Sequence, residues 1–232
     1  MKNTKSLIAI LAIAGLLTLS ACNDSSSAID APIVTAKFYR VDATNLTNNQ
    51  PLSPIGVALH QSGSFWMQNQ MASLALERLA EEGDNSALLN ESFVSSAASG
   101  NGILPPGGMQ SATVIIDMQG TLYLSVATML VNTNDAFTGV SRLDVTNMAV
   151  GESIMFNSRA YDSGTEANSE AMGTMPGPAD GGEGFNAIRD DNNFVSGHRG
   201  VVTSDDGLST SVLNESHRFD NPVIRLRVTR TQ

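Results

Sequence analysis

Two acidic segments of the chain have the residue types and spacing of a metal site. Residues 121–139 read TLYLSVATMLVNTNDAFTG and carry Asp135, whereas residues 161–168 read YDSGTEAN and carry Asp162 and Glu166 around a glycine. Calcium takes several oxygen ligands from flexible loops that bear carboxylates. The two segments therefore predict a site for a hard cation. Ordinary polar loops at the ends of β-strands are the alternative interpretation, which spacing alone does not exclude.

A strand must hold Asp135 in place if such a site exists. Residues 121–130 show a period-two pattern, typical of a strand with one apolar face, that places five residues on one side: Leu122, Leu124, Val126, Thr128 and Leu130. The pattern runs into Asn-Thr-Asn-Asp, whose side chains can hydrogen-bond their own backbone and end the strand. We therefore expect Asp135 on a loop at the strand end, fixed by Phe137 and released at Gly139.

Most of the remaining chain also has strand patterns. Further strands are predicted at residues 33–46, 56–59, 111–118 and 222–229, with weaker candidates at 140–145 and 153–156. The strand at 111–118 has three successive apolar residues, which predicts burial on both faces. Residues 117–120 predict a tight turn that joins it to the central strand as a hairpin. Residues 95–108 are small and turn-forming, so we expect an exposed loop there.

One clear helix is predicted at residues 70–82. Met71, Leu74, Ala75 and Leu79 recur at helical spacing, and Gly83 follows as the C-terminal stop. A second short helical turn is predicted after Asp84, through Ala87 and Leu88. The pattern is that of a helix packed against a sheet.

The start of the chain resembles a bacterial lipoprotein signal. Lys2 and Lys5 precede an apolar run at residues 7–19, which is too short to span a bilayer. The run ends in Leu-Ser-Ala-Cys22, similar to a lipobox, and Cys22 is the only cysteine of the chain. A cleaved signal with a coincidental Cys22 is the alternative.

These features predict how the chain is organised and where it is located. We expect a lipoprotein signal peptide at residues 1–21, a tether at 22–32 and one domain at 33–232. Acylation of Cys22 would anchor the chain in the bacterial cell envelope. Asn23 is not the aspartate that typically retains lipoproteins in the inner membrane, which favours the outer membrane.

Charge limits the possible partners. Removal of residues 1–21 takes away Lys2 and Lys5, so 11 basic and 23 acidic side chains remain, a net charge of −12. Nucleic-acid binding needs a basic surface, so we expect no nucleic-acid partner. The same balance argues against adhesion to anionic lipid through charge, which leaves the acyl anchor as the expected membrane contact.

Catalytic motifs are missing from the sequence. It contains no phosphate-binding glycine loop followed by lysine, no HExxH and no GxSxG. Histidine-based constellations are defined by geometry, so His60, His198 and His217 leave a hydrolase open. His198 is the best candidate for such a site because it lies between Gly197 and the turn at residues 199–200.

The two acidic segments closely resemble the spondin N-terminal domain, found in animal matrix proteins of the F-spondin and mindin type and in bacterial exported proteins. Similarity extends over residues 38–230, through YRVDATNLT, PLSPIGVALH, LALERLAEEGD and PVIRLRVTR. The resemblance implies an antiparallel β-sandwich, hence an all-β fold with one or two short connecting helices. It also implies a calcium ion bound by Asp135, Asp162 and Glu166. Asn132 and Ser163 depart from the usual proline and alanine of the family.

The functional expectation is a lipid-anchored envelope protein, not an enzyme, whose domain binds calcium and an unidentified extracellular protein or glycan. Two alternatives remain open at this stage. One is an envelope hydrolase that uses His198 with an acid, and the other is a purely structural envelope protein. A fold of this kind does not by itself specify the partner.

Overall fold

The computed structural model describes residues 35–232, so the predicted signal peptide, Cys22 and the tether lie outside the described residues. In this range no helix is long and apolar enough to cross a membrane. The elements described are, in chain order, β1 (Lys37–Asn45), β2 (Gly56–His60), α1 (Leu74–Glu82), α2 (Ser86–Leu89), β3 (Val94–Ser99), β4 (Met109–Ile116), β5 (Tyr123–Met129), β6 (Ala136–Asp144), β7 (Ser153–Ser158), β8 (Ala160–Asp162), β9 (Ser196–Gly197), a 3-10 helix (Glu215–His217) and β10 (Ile224–Arg230).

Four strands form one antiparallel sheet in the order β4-β1-β10-β7. Its two central strands, β1 and β10, come from opposite ends of the described chain and pair from Tyr39 opposite Arg230 to Asn45 opposite Ile224. Along β1 the buried residues Tyr39, Val41 and Ala43 alternate with side chains that point outward. This alternation gives the sheet one apolar inner face and one polar outer face.

The other six strands form a second antiparallel sheet in the order β3-β2-β5-β6-β8-β9. Leu124 and Val126 of β5 pack in the main core, between the two sheets. On the opposite face Ala127 packs in a second apolar cluster with Leu76 and Leu79 of α1. The predicted all-β antiparallel sandwich with short helices in a connecting segment is confirmed. The predicted apolar face of β5 is also confirmed, although α1 buries the second face as well.

Helix α1 has defined signals at both ends. The Ser73 hydroxyl accepts a hydrogen bond from the Leu76 N–H at 3.1 Å, which caps the first turn. Gly83 follows the last turn with a φ of +74° and donates its N–H to the Leu79 carbonyl at 3.0 Å. The helix begins at Leu74, four residues later than predicted, because Ser73 is the cap and the residues before it are not helical.

The predicted exposed loop at residues 95–108 is wrong in its first part. β3 occupies Val94–Ser99 and pairs with β2 at the edge of the six-stranded sheet. Its composition of serine and alanine gives little intrinsic strand signal, so pairing with β2 decides the structure here.

The predicted hairpin between β4 and β5 is also wrong. β4 pairs with β1 in the four-stranded sheet, whereas β5 pairs with β2 and β6 in the other sheet. Residues 117–122 therefore cross from one sheet to the other. Ile115 of β4 is 47% exposed on the outer face, so the expected burial of both faces is wrong as well.

Candidate metal centre

Strand register brings the two acidic segments together. β6 begins at Ala136, which lies opposite Asp162 of β8. Asp135 directly precedes Ala136, so its side chain and that of Asp162 come from the same end of two paired strands. The Ser163 N–H also donates to the Asp135 backbone oxygen at 3.3 Å.

The turn before Asp135 is held by its own hydrogen bonds. The Thr133 hydroxyl donates to the Leu130 carbonyl at 2.6 Å and accepts from the Ala136 N–H at 3.0 Å. The Leu130 N–H donates to the Ala136 carbonyl at 2.8 Å. These bonds close the loop between β5 and β6, and they hold Asp135 at the strand end, as the Asn-Thr-Asn-Asp pattern predicted. The predicted extent of the loop is wrong, because Phe137 and Gly139 are paired residues of β6.

The Asp135 carboxylate is fully buried, and only one of its two oxygens has hydrogen-bond partners. Its Oδ2 accepts hydrogen bonds from the Ser163 hydroxyl at 2.8 Å and from the N–H groups of Thr165 and Glu166 at 2.9 and 3.2 Å. Its Oδ1 is buried without any hydrogen-bond partner. Burial first, and then the charge of Asp162, raise the pKa of Asp135 to about 7.

Asp162 is held differently, because both of its oxygens accept hydrogen bonds. Oδ1 accepts from the Gly164 N–H at 2.8 Å, and Oδ2 accepts from the Asn168 side-chain amide at 2.8 Å. Gly164 has a φ of +73°, and a Cβ at this position would lie 2.5 Å from the Phe194 backbone oxygen, so only glycine fits the turn. Each Asp162 oxygen keeps a further lone pair for a metal.

His198 lies within ligand distance of both aspartates: one atom each of Asp135, Asp162 and His198 lie within 4.8 Å of one another. Its ring nitrogens are nevertheless both occupied. Nδ1 accepts from the Gly200 N–H at 3.0 Å, so Nε2 carries the proton and donates to the Asn168 amide oxygen at 2.8 Å. Burial lowers the pKa of His198, which keeps the ring neutral. His198 therefore orients Asn168, and through it Asp162, and has no free lone pair for a metal or for a nucleophile.

Glu166, the third predicted ligand, is not part of this compact group. Its N–H binds Asp135, whereas its buried carboxylate has an Oε2 atom without a hydrogen-bond partner. The pKa of Glu166 is raised to about 8, first by burial and then by the charges of Glu81, Asp135, Asp190 and Glu183, in that order. The Glu166 carboxylate thus lies among acids, and Glu81 of helix α1 has the largest effect of these charges.

Glu81 is a candidate site residue that sequence reasoning missed. It is fully buried, its Oε2 accepts from the Asn186 N–H at 2.9 Å, and its Oε1 has no partner. Burial raises the pKa of Glu81. Glu77, one turn earlier, is paired with Arg189 at 2.5 Å, so the arginine stabilises Glu77 directly. The helical pattern showed Glu81 only as a polar residue outside the apolar stripe, and the loop that covers it has no periodic signal.

Asp135, Asp162, Glu166 and Glu81 are therefore neighbouring acids that offer oxygen donors only, but in residues 35–232 the group whose ligand atoms all lie within 4.8 Å of one another is Asp135, Asp162 and His198. Asp135 Oδ1, Glu166 Oε2 and Glu81 Oε1 are buried without partners, and within residues 35–232 none of the four acids takes part in an ion pair. Buried charges of one sign are stabilised by protonation or by a counter-ion. Oxygen ligands from three separate elements fit calcium, which accepts six to eight oxygens in flexible geometry.

An open pocket of about 320 Å³ lies beside Asp162, and its polar lining includes Asp162, Asn168, Glu170, Asp191, His198 and Arg199. Glu170 has a φ of +46° and a buried side chain. Its Oε1 accepts from the Val202 N–H at 3.2 Å, while its Oε2 has no partner. Burial raises the pKa of Glu170 to about 7.

These two antiparallel sheets, with an acidic centre at one end of the larger sheet, define the chain as an all-β sandwich domain. The family model described as Spondin_N matches residues 44–176, more than half of the chain. The chain belongs to this spondin N-terminal domain family, which is a family of non-catalytic domains. The match includes Glu81, Asp135, Asp162 and Glu166, and it is shorter than the expected range of residues 38–230. No curated protein matches the chain.

Proposed function

We propose that this chain is a lipid-anchored protein of the bacterial cell envelope whose spondin domain binds calcium and an extracellular protein or glycan. The calcium proposal rests on the three buried carboxylate oxygens without partners, on Asp135, Glu166 and Glu81. A bound cation would neutralise these groups and link helix α1 to the loops after β5 and β8. Asp162 would complete the ligand set.

Calcium is favoured over other cations by the donor set. Zinc and copper prefer nitrogen or sulfur ligands, and both nitrogens of His198 are engaged in hydrogen bonds. Magnesium demands near-ideal octahedral geometry and releases its waters reluctantly. A site assembled from three elements meets the looser requirement of calcium more readily.

Thermal unfolding in chelator and in calcium tests this site. At about a hundred times the dissociation constant, a ligand that binds only the folded state adds about 2.7 kcal/mol to the free energy of unfolding. Asp135→Asn should abolish this gain. An amide at this position can keep its oxygen at the satisfied Oδ2 and put its NH₂ group at the unpartnered Oδ1, so the fold should persist.

Asp117→Asn is the matched control for this variant. Asp117 is exposed and lies outside the acidic segments, so its substitution should leave the calcium response intact. An equal melting temperature of the unsubstituted protein in chelator and in calcium would contradict the site and favour a purely structural protein. A calcium response retained by Asp135→Asn would place the ion elsewhere.

The pocket beside Asp162 supports binding over hydrolysis. It shares Asp162 with the proposed metal centre and has mainly polar side chains, whereas the His198 nitrogens bond Asn168 and the Gly200 backbone instead of a serine. Binding of envelope proteins and glycans to the pocket should therefore depend on calcium. Turnover of ester or peptide substrates that is lost in His198→Ala would favour the hydrolase.

The membrane anchor is supported by the sequence of residues 1–22, which lie outside the described residues. Cys22→Ala should give unprocessed or soluble protein in place of a lipoprotein that partitions into detergent. Mutant protein that stays with the membrane through high-salt and carbonate washes would contradict lipidation at Cys22.

A further inference from the structure

Basic side chains are concentrated in the four-stranded sheet. Residues 35–232 contain 11 lysines and arginines, and five of them lie in its strands β1 and β10: Lys37, Arg40, Arg225, Arg227 and Arg230. Asp42 is the single acidic residue of these four strands. The rest of the described chain has six basic and 20 acidic side chains. The four-stranded sheet is therefore cationic, although the net charge of the protein is negative.

Three of these arginines lie on the solvent-facing side of the sheet. Arg40, Arg225 and Arg227 are exposed and alternate with buried residues of the core. Strand register places Thr229 opposite Arg40 and Asp42 opposite Arg227. Successive outward residues on a strand lie about 7 Å apart, so the three guanidinium groups share one surface.

Only one of the three arginines is neutralised on this surface. Arg40 pairs with Asp42 at 2.7 Å. Arg225 donates to the Asn157 amide oxygen at 3.2 Å, and Arg227 contacts the Met155 sulfur at 3.8 Å. Across residues 35–232, neither Arg225 nor Arg227 forms an ion pair.

The same surface has exposed apolar side chains. Met155 on β7 is 58% exposed and Ile115 on β4 is 47% exposed. Arg40, Arg225, Arg227, Met155 and Ile115 together are named the arginine face. Guanidinium groups bind phosphate oxygens, often in bidentate geometry, and neighbouring apolar side chains can enter the boundary between lipid headgroups and acyl chains.

We propose that the arginine face docks on the anionic phospholipid headgroups of the membrane that holds the chain. The proposal rests on the proposed lipid anchor, which would keep the domain close to that membrane. An acyl anchor combined with a basic patch is a recurrent pair of membrane signals. β1 begins at Lys37, shortly after the predicted tether, so the chain enters the domain through the sheet that carries this face.

Overall negative charge does not prevent this docking. Interactions between solvent-exposed charges are screened over about 8 Å at physiological ionic strength, and two packed sheets are separated by about 10 Å. The acidic centre belongs to the other sheet, so the arginines are the charges nearest to a membrane in contact with the arginine face. The net charge alone argues against adhesion to anionic lipid, because it does not describe how the charges are distributed over the surface.

Fluorescence from the face itself tests the proposal in the full acylated protein. Met155→Cys introduces one labelling site, because Cys22 is acylated in that protein. The protein is reconstituted into phosphatidylcholine vesicles with or without phosphatidylglycerol, and an environment-sensitive label reports docking. We expect a blue shift only in the anionic vesicles, reversed by high salt.

Charge removal should then reduce docking by a predictable factor. Each arginine near an anionic surface contributes roughly a fivefold change in binding, so Arg225→Ser with Arg227→Ser should lower the docked-to-free ratio about 25-fold. Arg218→Ser, an exposed arginine outside the sheet, should leave it unchanged. A label introduced through Met172→Cys, at a position 81% exposed in the acidic loops, should not respond.

Several outcomes would overturn the proposal. One is the absence of a shift in anionic vesicles, and another is an equal shift in neutral vesicles. A response to soluble anionic polysaccharide without one to vesicles would identify a glycan site instead. Loss of the protein from the membrane during carbonate washing would contradict the lipid anchor but not the docking proposal. The released protein can still be mixed with anionic vesicles to test the arginine face.

Discussion

The four-stranded sheet and the acidic end of the six-stranded sheet follow opposite physical rules. In the four-stranded sheet the inward residues are apolar, and arginines, serines and threonines point to solvent together with a few apolar side chains such as Ile115 and Met155. At the acidic end, Asp135, Glu166 and Glu81 are buried, and each has one oxygen without a partner. The first arrangement stabilises the fold without a ligand, whereas the second stabilises it fully only when something neutralises the acids.

This contrast supports our proposal that the acidic end is a functional site, formed at some expense of stability. Desolvation of an unpaired carboxylate is unfavourable unless its pKa rises or a cation binds. In natural proteins, sites where buried polar groups lack hydrogen-bond partners are commonly functional ones. The polar groups of the acidic end are buried and hydrogen-bonded around Gly164 and the Thr133 turn, which is why we propose a ligand site there.

The largest expected effect concerns the shared core. Leu124 is fully buried between the two sheets, so Leu124→Ala should lower the free energy of unfolding by about 2 to 5 kcal/mol in a denaturant titration. Thr121→Ala is the control at an exposed position just before β5, and surface changes of this kind usually stay within about 0.5 kcal/mol. Equal small losses in the two variants would mean that Leu124 does not face the core.

Sequence reasoning predicted the core better than the site. Period-two patterns identified β1, β5 and β10, because each has a strongly apolar inner face. β3 was missed because it consists mainly of Ser and Ala, which have little strand preference. The partner of β4 was misassigned because hydrophobicity does not specify which sheet a strand joins.

At the acidic end, the spacing in residues 161–168 and the family resemblance together indicated Asp135, Asp162 and Glu166. The register between β6 and β8 brings the first two side by side. Glu81 could not be predicted in this way. It lies 54 positions before Asp135 in the chain, and only tertiary packing of α1 and its covering loop brings it to the acids.

The second prediction uses pH to separate the two regions. In chelator, burial leaves the folded pKa values of Asp135, Glu166 and Glu170 at about 7, 8 and 7, above their ordinary values of 3.8, 4.5 and 4.5. The folded state therefore binds more protons than the unfolded state. The stability from these groups is fully present below about pH 4 and is lost as pH rises through the folded values.

The histidines act in the opposite sense but only at lower pH. Burial lowers the pKa values of His60, His198 and His217 from 6.5, so their contribution favours folding as pH rises towards 6.5. Between pH 6.5 and 8 the carboxyl groups dominate, and unfolding free energy in chelator should fall by on the order of 3 kcal/mol. Saturating calcium should flatten this slope, and Asp135→Asn should reduce it. An unfolding free energy that does not change with pH in chelator would contradict this prediction. It would mean that other groups already neutralise the charges of these acids.

The smallest effect tests whether Glu81 belongs to the metal centre. Glu81→Gln keeps an oxygen for the Asn186 N–H and places its NH₂ group at the unpartnered Oε1 position, so the fold should remain intact in chelator. Loss of one carboxylate ligand should weaken calcium binding at least tenfold, which is about 1.4 kcal/mol, measured by calorimetric titration.

Glu82→Gln is the control for this variant. It changes the next residue, which pairs with Arg78 near the surface. Such i,i+4 pairs contribute about 0.2 to 0.5 kcal/mol, so this control should change stability slightly and calcium affinity not at all. Equal affinities of Glu81→Gln and the unsubstituted protein would restrict the ligands to the two loops.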